Sequence, residues 1–187
     1  VQMVVATNKN AVKYATVGTG KKFWNIWREQ DTEWQASLVD QIVAGRVPTE
    51  QDKTLISLFE KERLRKFAKY FVVYDANIKK ICRYQQFFAV EAIMKTIAEN
   101  DPAGNRQSGV IWHTQGSGKS LTMVMVSKYI LEELSSVSPK VIVVTDRKEL
   151  DKQIAKTFTH TRLTPARATS GKNLCDLINE GKADVIT

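Results

Sequence analysis

Apolar and polar positions alternate in three different ways along the chain. Val1–Thr7 and Val12–Val17 are rich in β-branched residues and flank the turn former Asn8-Lys-Asn10, which predicts a β-hairpin over residues 1–20. Residues 21–100 show mostly helical spacing, and from residue 109 onward short apolar runs alternate with longer mixed segments. The chain is therefore expected to combine a hairpin, a helical region and a sheet with crossover helices.

The helical region contains two long predicted helices and a pair of tryptophans. Trp24 and Trp27 are spaced i, i+3, so we expect them on one helix face, packing; stacking on nucleic-acid bases is the alternative. Pro48-Thr49 is an entry signal for a helix over Glu50–Phe71. A further helix is predicted over Ile81–Glu99, ended by Asn100-Asp-Pro102 because proline lacks an N–H.

The last third of the chain is predicted to form an α/β sheet. Alternating strands and helices favour parallel strands joined by right-handed crossovers. The predicted strands are 109–112, 140–145, 166–169 and 183–187, and the predicted helices are 118–134, 147–158 and 171–180.

Charge adds one open question. The net charge is +8, which favours an anionic partner, and residues 61–83 carry eight basic against two acidic side chains. A DNA-facing groove and a solvated helix face fit this run equally well. No signal peptide and no apolar run of membrane-spanning length is found, so no membrane association and a cytoplasmic location are expected.

The most informative segment is a glycine loop between the predicted strand 109–112 and the following helix. Gly116, Ser117 and Gly118 precede Lys119 and Ser120, a pattern whose backbone N–H groups cradle phosphates. Lys119 is expected to reach the β- and γ-phosphates of a nucleotide, and the Ser120 hydroxyl to bind Mg²⁺.

One position of this loop departs from the usual pattern, since His113 stands where the first glycine is expected. We expect His113 to shape the loop rather than to act on substrate. The alternative for the whole segment is an ordinary strand-to-helix turn with a solvated lysine.

Three segments in order resemble one family. Arg83–Val90, Ile111–Ser120 and Val143–Gln153 together are similar to the R subunit, the motor and nuclease subunit, of type I restriction–modification enzymes. That family belongs to the superfamily 2 helicases and translocases. The resemblance implies ATP and Mg²⁺ as cofactors, double-stranded DNA as substrate, and methyltransferase and specificity subunits as partners.

The resemblance also implies an architecture and further site residues. The fold would be α/β: an incomplete RecA-like parallel sheet in 101–187, a helical connector in 21–100, and a terminal hairpin of an upstream nuclease domain in 1–20. Gln86, assisted by Arg83, would read adenine, and Arg147 would contact a DNA phosphate. The helix opening at Ser170-Gly171-Lys172 is a weaker phosphate candidate.

Some elements of that family are not found in this sequence. There is no Asp-Glu-x-His element after Lys119, and neither the Asp nor the Glu-x-Lys pattern of the nuclease lies in residues 1–20. We therefore expect an internal fragment that by itself neither hydrolyses ATP efficiently nor cuts DNA. The alternatives are another superfamily 2 DNA helicase without nuclease activity, a metabolite kinase or nucleotide-binding regulator, and a pure interaction module.

Overall fold

A computed structural model describes residues 2–181 and 183–187. They form two compact units. The first comprises the chain up to Val73 together with Lys79–Phe88, and the second comprises Tyr74–Ile78 and Ala89–Thr187.

The first unit begins with the predicted hairpin. Strands β1 (Val4–Asn8) and β2 (Ala11–Ala15) pair antiparallel, with Val4 opposite Ala15 and Asn8 opposite Ala11. The side-chain oxygen of Asn8 accepts the N–H of Asn10 at 2.9 Å and stabilises the turn. The hairpin is confirmed at these positions, whereas Val1 lies outside the described residues.

The prediction that Trp24 and Trp27 share a helix face is wrong. A single 3₁₀ turn, Lys21–Phe23, precedes an extended segment in which the backbone of Asn25 exchanges hydrogen bonds of 2.8 and 2.9 Å with Tyr14. Pairing with β2 thus satisfies backbone groups that a helix would have used. Trp27 nevertheless packs in a core, as expected, and is buried among aromatic rings.

Three helices follow, and the second predicted helix is divided. They are α1 (Thr32–Ile42), α2 (Glu50–Leu58) and α3 (Lys61–Lys66), the last continued by a π-helical turn over Phe67–Phe71. The entry of α2 is as predicted, because Thr49 and Asp52 form a reciprocal capping box. The prediction of one continuous helix over 50–71 is wrong. The Glu60 carboxylate accepts hydrogen bonds from the N–H groups of Glu62 and Arg63 and so caps a new helix.

A second hairpin was not predicted. Strands β3 (Val72–Asp75) and β4 (Ile78–Ile81) form a two-stranded sheet. Ala76 and Asn77 between them have φ of +49° and +64°, as a type I′ turn requires. Helix α4 (Tyr84–Ala98) starts after this hairpin rather than at Ile81.

The second unit contains the predicted parallel sheet in a short form. Strands β5 (Val141–Ile142) and β6 (Val185–Ile186) pair parallel, and Ala166 bridges Ile186 on the other side of β6. Helices α5 (Lys119–Glu133), α6 (Lys148–His160) and α7 (Gly171–Glu180) lie within two residues of the predicted bounds. The predicted strands 140–145 and 183–187 form in shortened versions and 166–169 contributes a single bridge, so the fold is α/β with small sheets.

The predicted buried strand 109–112 is not formed. Val110 and Trp112 are 90% and 89% exposed, and no strand in residues 2–181 or 183–187 pairs with this segment. A strand requires a neighbour that offers N–H and C=O groups, so an apolar run alone does not produce one.

None of the helices formed by the described residues is both long and apolar enough to cross a membrane.

Candidate functional site

The glycine loop leads directly into helix α5, as predicted. Gly116 has φ of +76°, and Gly118, which caps the helix, has φ of +88°. A Cβ atom at Gly116 would meet no atom within 4 Å, so the demand for glycine there is conformational rather than steric. The first turn of any helix has N–H groups without intrahelical acceptors, so this loop can present backbone donors to an anion.

The Thr114 carbonyl connects the side chains of this loop. Lys119 donates from Nζ to the Thr114 oxygen at 3.0 Å, and Ser117 donates to the same oxygen from its hydroxyl at 2.6 Å and from its N–H at 3.3 Å. Lys119 is exposed and bends back on its own loop, while Ser120 is half-buried in the first turn of α5. A carbonyl oxygen has two lone pairs, so three donors compete for this one.

His113 is attached to the same group of side chains. Its Nδ1 lies 3.0 Å from the Ser117 hydroxyl oxygen, and its Nε2 is buried without a hydrogen-bond partner in the described part of the chain. His113 is not among the described residues with positive φ, so its backbone does not need glycine.

The donor set suits a nucleotide triphosphate with a magnesium ion. Two left-handed glycines, an exposed ammonium group and a hydroxyl in the first helical turn are the groups that phosphate oxygens and Mg²⁺ bind. Among residues 2–181 and 183–187, His, Cys, Asp and Glu side chains form no group of three that would hold a metal ion.

Gln86 and Arg83 belong to the first unit, at the start of α4. Gln86 is buried, with 4% of its surface exposed. Its Oε1 accepts the Arg83 N–H at 2.9 Å, and its own N–H donates to the Arg83 carbonyl at 3.0 Å. The side chain thus fixes the beginning of the helix and holds the plane of its amide, while Arg83 itself is exposed.

Arg147 lies beside a cleft where the parallel strands of the second unit end. The cleft has a volume of about 310 Å³, and its lining includes Thr145, Arg147, Lys148, Asp151 and Arg167. Arg147 is exposed and lies 3.7 Å from the Asp146 carboxylate, whereas Arg167 is paired with Asp151. Ligands of open α/β sheets commonly bind at the carboxyl ends of the strands.

The opening of α7 is also near these strand ends in sequence. Ser170 is the N-cap, and its Oγ accepts the Asn173 N–H at 3.1 Å. Gly171 and Lys172 are exposed in the first turn. The predicted helix start is confirmed, and the Ser170 hydroxyl oxygen is already used in capping it.

Sequence reasoning missed two groups that belong to these candidate sites, the Thr114 carbonyl and the Arg167 side chain. The Thr114 carbonyl gave no signal, because every residue has a carbonyl and only the fold of the loop makes this one an acceptor for Lys119 and Ser117. Arg167 gave none either, since it reaches the cleft from the segment that pairs with β6. That pairing is a long-range contact that no local pattern contains.

The comparisons with known proteins agree on the motor part of the chain. The sequence model of the SWI2/SNF2 ATPase family matches residues 85–187, more than half of the chain. The matched range contains Gln86, the glycine loop and Arg147.

Curated relatives are endonuclease subunits of type I restriction enzymes. The putative MjaIXP endonuclease subunit of Methanocaldococcus jannaschii is 29% identical over 197 residues, covering 99% of this chain and 19% of the relative. The HindI endonuclease subunit of Haemophilus influenzae is 39% identical over 115 residues, 58% of this chain and 11% of the relative. The resemblance inferred from the three sequence segments is thus confirmed, and the chain spans about a fifth or less of these relatives' length.

Proposed function

We propose, from the premise that this chain belongs to the SWI2/SNF2 ATPase family, that it is the nucleotide-binding part of an ATP-driven restriction subunit. In the whole protein, ATP hydrolysis would drive translocation along double-stranded DNA, and cleavage would follow. The observation that carries the proposal is the glycine loop, with φ of +76° and +88° at Gly116 and Gly118 just before Lys119 and Ser120. The names of the relatives supply the restriction context.

The loop residues would divide the binding of MgATP among themselves. Backbone N–H groups of Gly116, Ser117 and Gly118 would hold the phosphates, Lys119 would reach the β- and γ-phosphates, and Ser120 would bind Mg²⁺. When bound, the metal ion neutralises charge that develops on the phosphates. Lys119 would exchange its 3.0 Å hydrogen bond to the Thr114 carbonyl for the more strongly charged phosphate oxygens.

Gln86 is the residue proposed to read adenine. A carboxamide can accept a hydrogen bond from the adenine amino group and donate one to N7. The Arg83 N–H donates to Oε1 at 2.9 Å and so holds the orientation of this amide. Arg83 is proposed to assist from its exposed position next to Gln86.

DNA would bind at the strand ends of the second unit. Arg147, with its exposed guanidinium beside the cleft, is the proposed phosphate contact. The first turn of α7 at Ser170–Lys172 would supply further donors. Recognition of a target sequence would depend on the specificity subunit, and protection of host DNA on the methyltransferase subunit.

The decisive experiment substitutes Lys119→Ala in the complete protein that contains this chain. We expect loss of ATP-dependent translocation and DNA cleavage, measured by triplex displacement and by linearisation of plasmid DNA. The control Lys152→Ala removes an equally exposed positive charge from α6 and should leave both activities unchanged. Retention of both activities by Lys119→Ala would refute the assignment.

A translocase without nuclease is the second candidate, since the matching family model describes an ATPase. The complete wild-type protein distinguishes the two: ATP-dependent translocation with intact plasmid DNA, in the presence of Mg²⁺ and partner subunits, would favour this candidate.

A further inference from the structure

We propose that His113 is a positioning residue of the glycine loop. Its Nδ1–H orients the Ser117 hydroxyl, which keeps the Thr114 carbonyl satisfied while Lys119 moves from that carbonyl to phosphate. This inference rests on the proposed nucleotide-binding function. It assigns a chemical role to the residue that replaces the first glycine of the usual pattern.

The direction of each hydrogen bond follows from the chemistry of the groups. A carbonyl can only accept, so the Ser117 hydroxyl donates to the Thr114 oxygen at 2.6 Å. That hydroxyl has one proton, so its oxygen accepts from His113, 3.0 Å away, and Nδ1 carries the ring proton. A proton on Nε2 would instead place a buried donor where the described residues offer no acceptor.

The exchange at the Thr114 carbonyl follows from this arrangement. Three donors converge on an oxygen with two lone pairs, and only the Lys119 donor belongs to an exposed, flexible side chain. The Ser117 hydroxyl is held in place by His113. When Lys119 leaves, Ser117 still satisfies the carbonyl, so the loop keeps its shape for phosphate.

Backbone conformation does not explain the presence of histidine. The φ angles that exclude other residues occur at Gly116 and Gly118, and His113 lies outside the described residues with positive φ. The position therefore accepts any ordinary residue, and the imidazole contributes through its side chain.

The test compares three substitutions at His113 in the complete protein. His113→Ala removes the donor. The affinity for ATP should fall about tenfold and KM for ATP should rise about tenfold, the upper range for one hydrogen bond, with little change in kcat. His113→Asn places an amide N–H near the Nδ1 position and should restore most of the affinity. His113→Gln places its amide near Nε2 and should not. His160→Ala, at the other histidine of the chain, serves as the control and should bind ATP normally.

Unchanged affinity in His113→Ala, or equal loss in His113→Asn and His113→Ala, would overturn the proposal. If Lys119→Ala also leaves ATP affinity unchanged, the assignment of the glycine loop as the nucleotide site is wrong. If Lys119→Ala abolishes binding and His113→Ala does not weaken it, only the role of His113 fails.

A measurement on the wild type keeps the proposal testable if the variants fold poorly. With ¹⁵N-labelled histidine, the chain gives signals from two imidazoles only. We expect the ring of His113, assigned as the signal that remains in the control His160→Ala, to carry a proton on Nδ1. Protonation at Nε2 in this ring would overturn the proposal.

Discussion

The aromatic cluster of the first unit and the segment before the glycine loop of the second unit differ in how far their large apolar side chains are exposed. In the first unit, Trp27, Phe67 and Phe87 are buried with ring centroids 5.2–5.6 Å apart. In the second, Val110 and Trp112 are almost fully exposed next to the glycine loop. The aromatic cluster of the first unit thus forms a core, whereas the glycine loop of the second unit and the side chains next to it are accessible.

The polar groups differ in the same way. In the first unit, Arg63 and Glu29 form a buried ion pair, 11% and 2% exposed, and the guanidinium lies 4.5 Å from the Trp34 ring centroid and 5.1 Å from that of Trp27. In the second unit, Lys119 and Arg147 are exposed. Charge is structural where it is buried and paired, and available to ligands where it is not.

The largest expected effect on stability comes from breaking the buried pair. Arg63→Ala leaves the Glu29 carboxylate buried, so the free energy of unfolding should fall by about 3–5 kcal/mol. Urea unfolding followed by tryptophan fluorescence measures this change. The matched substitution Arg65→Ala breaks an exposed pair with Glu62 and should cost less than about 1 kcal/mol. Equal effects of the two would contradict the contrast between buried and exposed charge.

An intermediate effect is expected in the glycine loop. Gly118→Ala must hold a Cβ at φ of +88°, so it should destabilise the native loop by about 1–2 kcal/mol and weaken ATP binding. ATP affinity by calorimetry and thermal unfolding check both parts. Gly109→Ala is the matched control, because Gly109 is not among the positive-φ glycines and its added Cβ meets nothing within 4 Å. A Gly118→Ala protein that binds ATP like the wild type would remove the conformational argument for this glycine.

The smallest expected effect is on the stability of the first unit against unfolding at acidic pH. The Arg46 guanidinium, followed by Thr49, holds the pKa of the Asp52 carboxyl well below its ordinary range. Because the native pKa is lowered, Asp52 stabilises the fold above its unfolded pKa of about 3.9. This contribution is lost as the pH falls through the native pKa.

Asp52→Asn should therefore show a shallower loss of stability below about pH 4 than the wild type. Urea midpoints measured from pH 7 down to pH 2 provide the comparison, with Asp40→Asn on α1 as the control because Asp40 is exposed and lies outside the capping box. Parallel curves for Asp52→Asn and the wild type would show that the capping box does not contribute to acid stability.

The local patterns that the sequence displays were sufficient for the helices of the second unit and for the first hairpin. Helix α7 follows its Ser170 cap, α6 and α7 follow amphipathic spacing, and α5 starts directly after the glycine loop. The glycine loop could also be predicted, because left-handed φ values at Gly116 and Gly118 are a property of residue type. The second hairpin was missed, since its turn uses Ala76 and Asn77 rather than an Asn-Gly pair.

Pairing and burial were decided by tertiary structure. Asn25 pairs with Tyr14 instead of continuing a helix, Glu60 caps a new helix inside a periodic segment, and the apolar segment 109–112 finds no partner strand among the described residues. The sequence by itself determined which residues are candidates for phosphate binding and which family they indicate. Only the tertiary structure decided that Thr114 links Lys119, Ser117 and His113, because hydrogen bonds between side chain and backbone depend on a folded loop rather than on residue type.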